Sequence, residues 1–138
     1  TLGKHYSEDE VRDALEIAQL TDVIARLDSG LDTLVGKDGI KLSGGQRQRV
    51  AIARMILSDP KVVIFDESTS ALDVHTEVKL FDALQDFLSQ KTVITIAHRL
   101  STIKSAEFIY VLEDGRVVDS GTPKALMAKD ESYFSSMV

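Results

Sequence analysis

The sequence predicts an α/β fold built around a βαβ unit, and three observations carry that prediction. Lys61 to Phe65 and Thr92 to Ile96 are short apolar runs rich in β-branched residues, the pattern of strands buried on both faces. Between them, His75 to Leu88 sets Val78, Phe81, Leu84, Phe87 and Leu88 near one helical stripe. Strand, helix and strand within ~35 residues imply parallel strands joined by a right-handed crossover.

The elements follow in order. Ser7 with Glu10 three residues later forms a capping box, and Val11, Ala14, Leu15 and Ala18 then fall on one helix face. Thr21-Asp22 is positioned to cap a short second helix ending near Leu27, and Ser29-Gly30 breaks it. Leu31 to Leu42, with Gly36 and Gly39 and no clear period, reads as a structured loop. Ser43 and Gln46 form a second capping box and open a helix that runs through Val50, Ala53 and Leu57. It stops before Asp59-Pro60, because the residue preceding proline disfavours the α region. After the βαβ unit, Phe108 to Leu112 and Arg116 to Val118 read as a hairpin across Glu113-Asp114-Gly115. Thr122-Pro123 starts a last helix, with proline where its missing N–H costs nothing.

Composition bounds the function. The chain has 138 residues, a formal charge of −6, 43% hydrophobic and 28% charged residues, which is globular and fits one domain of ordinary size. The longest apolar stretches resemble Val62-Val63-Ile64-Phe65, far short of the ~18–20 residues of a membrane span, so these residues do not insert into a bilayer. Zero cysteines exclude disulfides, thiolate zinc sites and cysteine nucleophiles. Thr1 to His5 lacks the apolar region of a signal peptide. The acidic balance argues against a nucleic-acid partner, although Arg47-Gln48-Arg49 is locally basic.

Three constellations carry candidate chemistry. In Ser43-Gly44-Gly45-Gln46, two glycines at a helix start leave backbone N–H groups uncovered at the positive end of the dipole. That arrangement suits a phosphate, or else is a capped helix without ligand. Asp66-Glu67 follows a strand at its carboxyl end, where open α/β sheets bind ligands. One carboxylate there can hold Mg²⁺ through water and the other orient an attacking water; the alternative is an exposed acidic loop capping a helix. His98 lies just beyond the second strand, placed either to donate to a phosphate oxygen or to serve structure.

Taken in order, these segments resemble the motifs of the ATP-binding cassette (ABC) ATPases. Leu42-Ser43-Gly44-Gly45-Gln46-Arg47-Gln48-Arg49 looks like the signature motif, and Val62 to Glu67 resembles Walker B. Ser70-Ala71-Leu72-Asp73 resembles the D-loop, and Ala97 to Thr102 the switch-histidine segment. Val111 to Gly115 with Gly121-Thr122 matches the closing hairpin, so the resemblance covers practically the whole chain. Gly30 to Gly36 and His98-Arg99-Leu100-Ser101-Thr102 are similar to exporter-type cassettes. Neither Leu34 nor Lys37 is acidic, where many of those carry an acidic residue, and Ser68 stands where alanine is commoner.

The resemblance implies a P-loop NTPase-like (RecA-like) parallel sheet core, incomplete, with part of the helical subdomain at the N-terminus and a C-terminal β-hairpin. It implies residues 1–58 as helical subdomain and 59–138 as core. It further implies ATP and Mg²⁺ as cofactors. Ser43, Gly44, Gly45 and Gln46 would contact the γ-phosphate of ATP held by an opposite subunit, and Asp66 would hold Mg²⁺. Glu67 would polarise the attacking water, His98 would contact the γ-phosphate, and Asp73 would sit at the subunit interface. The implied partners are a second ABC ATPase subunit and the transmembrane domain of an exporter, at the cytoplasmic face of a membrane.

No G-x-x-x-x-G-K-[ST] phosphate loop occurs in these residues. By resemblance, Thr1 falls inside the helical subdomain, so the chain is expected to be the C-terminal half of a cassette and the fragment alone to lack activity. The absent Walker A strand would lie beside the strand leading to His98. Two alternatives stand beside this. A soluble ABC ATPase of the chromosome-maintenance or DNA-repair kind usually has an acidic residue where Gln46 stands and lacks the run from His98 to Thr102. A non-catalytic module would only donate its signature to a partner's nucleotide.

Overall fold

The computed structural model describes residues 4–37, 39–66, 71–96 and 105–129. They fall into two compact units, Thr1–Thr95 and Ile96–Val138.

The first unit begins with α1 (Glu8–Ile17), and both arms of its capping box form. The Glu10 N–H donates to Ser7 Oγ at 3.2 Å and the Ser7 N–H to Glu10 Oε2 at 2.7 Å. Helix α2 (Thr21–Ala25) follows at once, and its N-cap is Leu20 with no side-chain cap bond, not Thr21. Packing overrides the cap signal here. Leu20 is 1% exposed and its N–H reaches back to the Leu15 carbonyl at 2.8 Å, so the chain turns over a buried leucine. A 3₁₀ turn, Gly30–Asp32, stands where the sequence predicts a break.

Helix α3 (Gly44–Ser58) ends at Asp59, whose φ of 46° carries the backbone into the left-handed region ahead of Pro60. Strand β1 (Val62–Asp66), helix α4 (Val74–Leu88) and strand β2 (Thr92–Ile96) complete the βαβ unit, with β1 and β2 neighbouring parallel strands. Lys91 locks the entry to β2: its Nζ meets Asp59 Oδ1 at 2.6 Å and lies 4.3 Å above the Phe87 ring. The core gathers Ala18, Leu20, Ile52, Ala53, Leu72, Leu80 and Leu84. Each fully buried leucine in it contributes about 1.5–3 kcal/mol through area removed from water.

Burial of the strands departs from expectation. Val63 and Phe65 are buried, Phe65 against Phe81 with ring centroids 5.9 Å apart, but Val62 and Ile64 are exposed, as is the whole of β2. Ile64 borders an open apolar groove of about 290 Å³ shared with Gln48, Ile52 and Met55 of α3. Val63 and Phe65 of β1 line the same groove.

The second unit is a hairpin and a helical turn. Strands β3 (Ile109–Glu113) and β4 (Arg116–Gly121) pair antiparallel, from Ile109 opposite Gly121 to Glu113 opposite Arg116, with a register shift between Val111 and Leu112. Asp114 and Gly115 both have positive φ, 46° and 75°, as a two-residue hairpin turn of right-handed twist needs. In α5 (Pro123–Met127), Thr122 Oγ1 accepts the Ala125 N–H at 3.2 Å and Leu126 is fully buried. Lys129 Nζ, 2.5 Å from Asp119 Oδ1, holds the Asp119 carboxyl below its ordinary pKa.

Candidate functional site

The start of α3 is built by local bonds. The Gln46 N–H donates to Ser43 Oγ at 3.1 Å, and the Ser43 N–H donates to Gln46 Oε1 at 2.8 Å. The Arg47 N–H closes on the Ser43 carbonyl at 3.0 Å. The amides of Gly44 and Gly45 are left, with no partner among the described residues. They point out of the positive end of a 15-residue helix.

Comparison with α1 shows what is unusual. The first turn of α1 carries Glu8, Asp9 and Glu10, which neutralise its own dipole; the first turn of α3 carries no acid. Arg47 instead folds back and donates through Nη1 to the Leu42 carbonyl at 2.7 Å, and its Nη2 lies 3.9 Å from where a Cβ on Gly44 would stand. A positive charge therefore sits beside Gly44 at the start of the helix. This geometry fits a phosphate group. The sequence reading passed over Arg47 as part of a basic cluster; the signal that marks it is a cation one turn inside an acid-free capping box.

The two glycines differ in their surroundings. A Cβ on Gly45 would lie 2.9 Å from Leu72 Cδ2 and 3.0 Å from the Ala71 carbonyl oxygen. On Gly44 it would lie 3.1 Å from the Ala71 Cβ. Gly45 is thus required by close approach of the Ala71-Leu72 segment as well as by an open backbone.

Asp66 is exposed at the carboxyl end of β1, five residues before Ala71, which closes on the α3 start. Among the described residues no cluster of three or more His, Asp or Glu could hold a metal alone. The Asp66 carboxylate is a hard oxygen donor of the kind a cation such as Mg²⁺ takes. Asp73 is exposed and caps α4: Oδ2 accepts the Thr76 hydroxyl at 2.7 Å and Oδ1 the Thr76 N–H at 3.0 Å. Those two bonds, the hydroxyl's first, hold its carboxyl below the ordinary aspartate pKa. Glu67 and His98 lie outside the described residues. Ser43, Gly44, Gly45 and Gln46 are brought together with Ala71-Leu72, while Asp73 stands just beyond them.

A family profile described as ABC transporter matches residues 3–70. An ATP-dependent lipid A-core flippase of Vibrio vulnificus (strain CMCP6) is 49% identical over 131 residues, 95% of this chain and 22% of that protein. The mitochondrial iron-sulfur clusters transporter ABCB7 of Homo sapiens is 48% identical over 131 residues, again 95% of this chain and 17% of that protein. A solved bacterial Atm1-family ABC exporter with ATP bound superposes with a TM-score of 0.85 at 44% identity, covering 95% of this chain and 23% of its own. The chain thus spans about a fifth of the length of the relatives it matches. No helix among the described residues is long and apolar enough to cross a membrane.

Proposed function

The chain belongs to the ABC transporter family, and from that premise we propose that it is the signature-bearing part of an exporter-type ATPase domain, working on ATP in a two-subunit sandwich. The observation that supports this most is the α3 start: two unpaired glycine amides, no acid in the first turn and Arg47 alongside. We divide the chain into a helical subdomain, 1–58, and a core, 59–138.

In this reading Ser43, Gly44, Gly45 and Gln46 bind the terminal phosphate of a nucleotide whose other phosphates are cradled by the opposite subunit. ATP supplies the phosphoryl group and Mg²⁺ its charge neutralisation. Asp66 holds the cation through water, Glu67 orients the attacking water, and His98 steadies charge on the terminal phosphate. Asp73 keeps its segment in place by capping α4 and is exposed toward a second subunit. These residues position and stabilise charge; none forms a covalent bond. The partners that follow are a second ABC ATPase subunit and an exporter's transmembrane domain, at the cytoplasmic face of a membrane. Relatives of 49% and 48% identity are named for unrelated cargo, lipid A-core and iron-sulfur clusters, so we place cargo choice outside these residues.

Glu67→Gln in the full-length protein tests the reading: ATP is retained and turnover is lost, whereas undiminished phosphate release sinks it. A second reading follows from the missing phosphate loop. The 138-residue chain alone does not hydrolyse ATP, and it acts only by lending its signature to a complete cassette. Titrating the chain against such a cassette distinguishes donor, inhibitor and inert segment by the ATPase rate.

A further inference from the structure

Gly45, Arg49, Ile52 and Ala53 follow one another along one face of α3, and Ile52 and Ala53 share the buried cluster with Ala18 and Leu20. Between that core and the first turn, Arg49 is half-buried, and its Nη1 donates to the Gln19 carbonyl at 2.5 Å, thirty residues away in sequence. Its Nε is buried without a partner, so among the described residues the Gln19 carbonyl is all that the guanidinium holds. That carbonyl is a fixed one. Gln19 follows the C-cap of α1 in the left-handed region, φ 57°, which is uncommon for a residue with a side chain. The Gln19 N–H donates to the Glu16 carbonyl at 2.9 Å and the Leu20 N–H to the Leu15 carbonyl at 2.8 Å, the two bonds of a Schellman turn. Gln19 Nε2 adds a second bond to the Glu16 carbonyl at 3.1 Å, and buried Leu20 anchors the turn in the core. The last turn of α1 has no basic residue, so Arg49 brings the cation that this negative helix end lacks.

We propose that Arg49 is a positioning residue: by tying α3 to the turn that ends α1, it holds the Gly44 and Gly45 amides in the helical arrangement a phosphate needs. The proposal rests on the ATPase reading above. Two glycines make the first turn of α3 a poor helix former, so its order has to come from contacts. The capping box of Ser43 and Gln46 is local and fastens the turn to no other element. Arg49, about 9 Å along the axis from Ser43, makes the first hydrogen bond from α3 to another part of the fold among the described residues. A first turn that is formed only part of the time binds phosphate more weakly in proportion to that fraction, and bound phosphate restores its order. Arg49 therefore acts on ATP affinity and not on the chemical step.

The experiment uses the full-length protein with Arg49→Met, which keeps the apolar stem and loses the donor, and with Arg49→Lys. Amide hydrogen exchange along α3 is read without and with ATP, and KM and kcat are measured per ATP-binding site. In Arg49→Met without ATP, exchange at residues 46–49 is expected to quicken about fivefold while residues 52–57 keep their rate. KM for ATP is expected to rise about fivefold with kcat within about twofold, and saturating ATP to restore the protection of residues 46–49. Arg49→Lys keeps a cation but not the planar fork, and its values are expected to fall between. A purely structural arginine would quicken exchange over the whole of α3 and reduce the number of binding sites with KM unchanged; that result overturns the proposal. If Arg49→Met does not fold, Arg49→Lys carries the test, and wild-type exchange at residues 46–49 together with wild-type KM overturns it equally. Turnover surviving Glu67→Gln brings down the ATPase reading itself. Turnover lost there, with KM unmoved in the Arg49 variants, brings down only the positioning role.

Discussion

Leu72 Cδ2 and a Cβ on Gly45 would stand 2.9 Å apart, closer than two carbons can pack, and the Ala71 carbonyl oxygen at 3.0 Å blocks the way around. The leucine tip can rotate but the carbonyl is backbone. Gly45→Ala is therefore expected to destabilise the first unit by about 1–3 kcal/mol, as overpacking does. Gly44→Ala meets only the Ala71 Cβ at 3.1 Å and regains up to about 1 kcal/mol of helix propensity, so its net effect on stability is small. Thermal melts of the two variants check this order; equal losses would mean that the Leu72 contact does not govern the site.

The two capping boxes separate stability from function. Ser7→Ala and Ser43→Ala each remove a hydroxyl that accepts an N3 amide. Ser43→Ala should cost about 1 kcal/mol of helix stability, and Ser7→Ala should also lower the melting temperature. ATP turnover of the full-length protein is expected to fall only for Ser43→Ala, because Ser7 lies on α1, whose first turn already holds three acids. Turnover lost equally in both would point to a general folding defect.

How far the residues foretold this arrangement depends on how local each signal is. The starts of α1 and α3 and the Asp114-Gly115 turn were legible, because their bonds join residues at most three apart. The start of α2 was not, since burial of Leu20 outranks the Thr21-Asp22 cap. The apolar runs of β1 and β2 identified strands, but apolar content does not say which face is covered, and Ile64 and Ile94 stay exposed. At the candidate site, the glycine pair was read as open backbone. That Gly45 must also admit Leu72 depends on a contact between residues far apart in sequence, which no local pattern records.

Arg47 contributes charge where the α3 dipole is already positive. Arg47→Gln leaves the Leu42 carbonyl without its charged donor and removes a cation beside the Gly44 amide. The expected outcome is an ATP KM raised about fivefold, with Arg47→Lys falling between because it keeps charge but loses the planar fork. The wild-type KM should also rise more steeply with salt than that of Arg47→Gln, since an exposed charge is screened. Parallel salt slopes would remove Arg47 from the site.

Asp73 gives a pH signature. Its folded pKa is depressed by the Thr76 hydroxyl and then the Thr76 N–H, so its contribution is complete above the ordinary aspartate pKa. That contribution disappears as pH falls through the lower folded value. Asp73→Asn keeps an amide oxygen able to cap α4 but does not titrate. On acidification below the ordinary aspartate range, wild type should lose melting temperature relative to Asp73→Asn, and the two curves should run parallel at neutral pH. Curves parallel down to strong acid would show that the Thr76 bonds do not stabilise the charged cap.

The exposed apolar side chains of the βαβ unit yield a prediction whose sign depends on context. Ile64 is 64% exposed and Ile94 49%, beside Val62 and Ile96. Exposed apolar side chains on neighbouring strands favour association. The purified 138-residue chain should therefore sediment as oligomers, and Ile64→Ser with Ile94→Ser should move it toward monomer. Its melting temperature should barely change, because side chains already in water give up little when truncated. In the full-length protein, if further chain covers this face, the same two substitutions should destabilise by about 1.5–3 kcal/mol each through lost burial. A monomeric unsubstituted chain in sedimentation would show that the face needs no cover. Two substitutions that leave the full-length protein equally stable would show that it receives none.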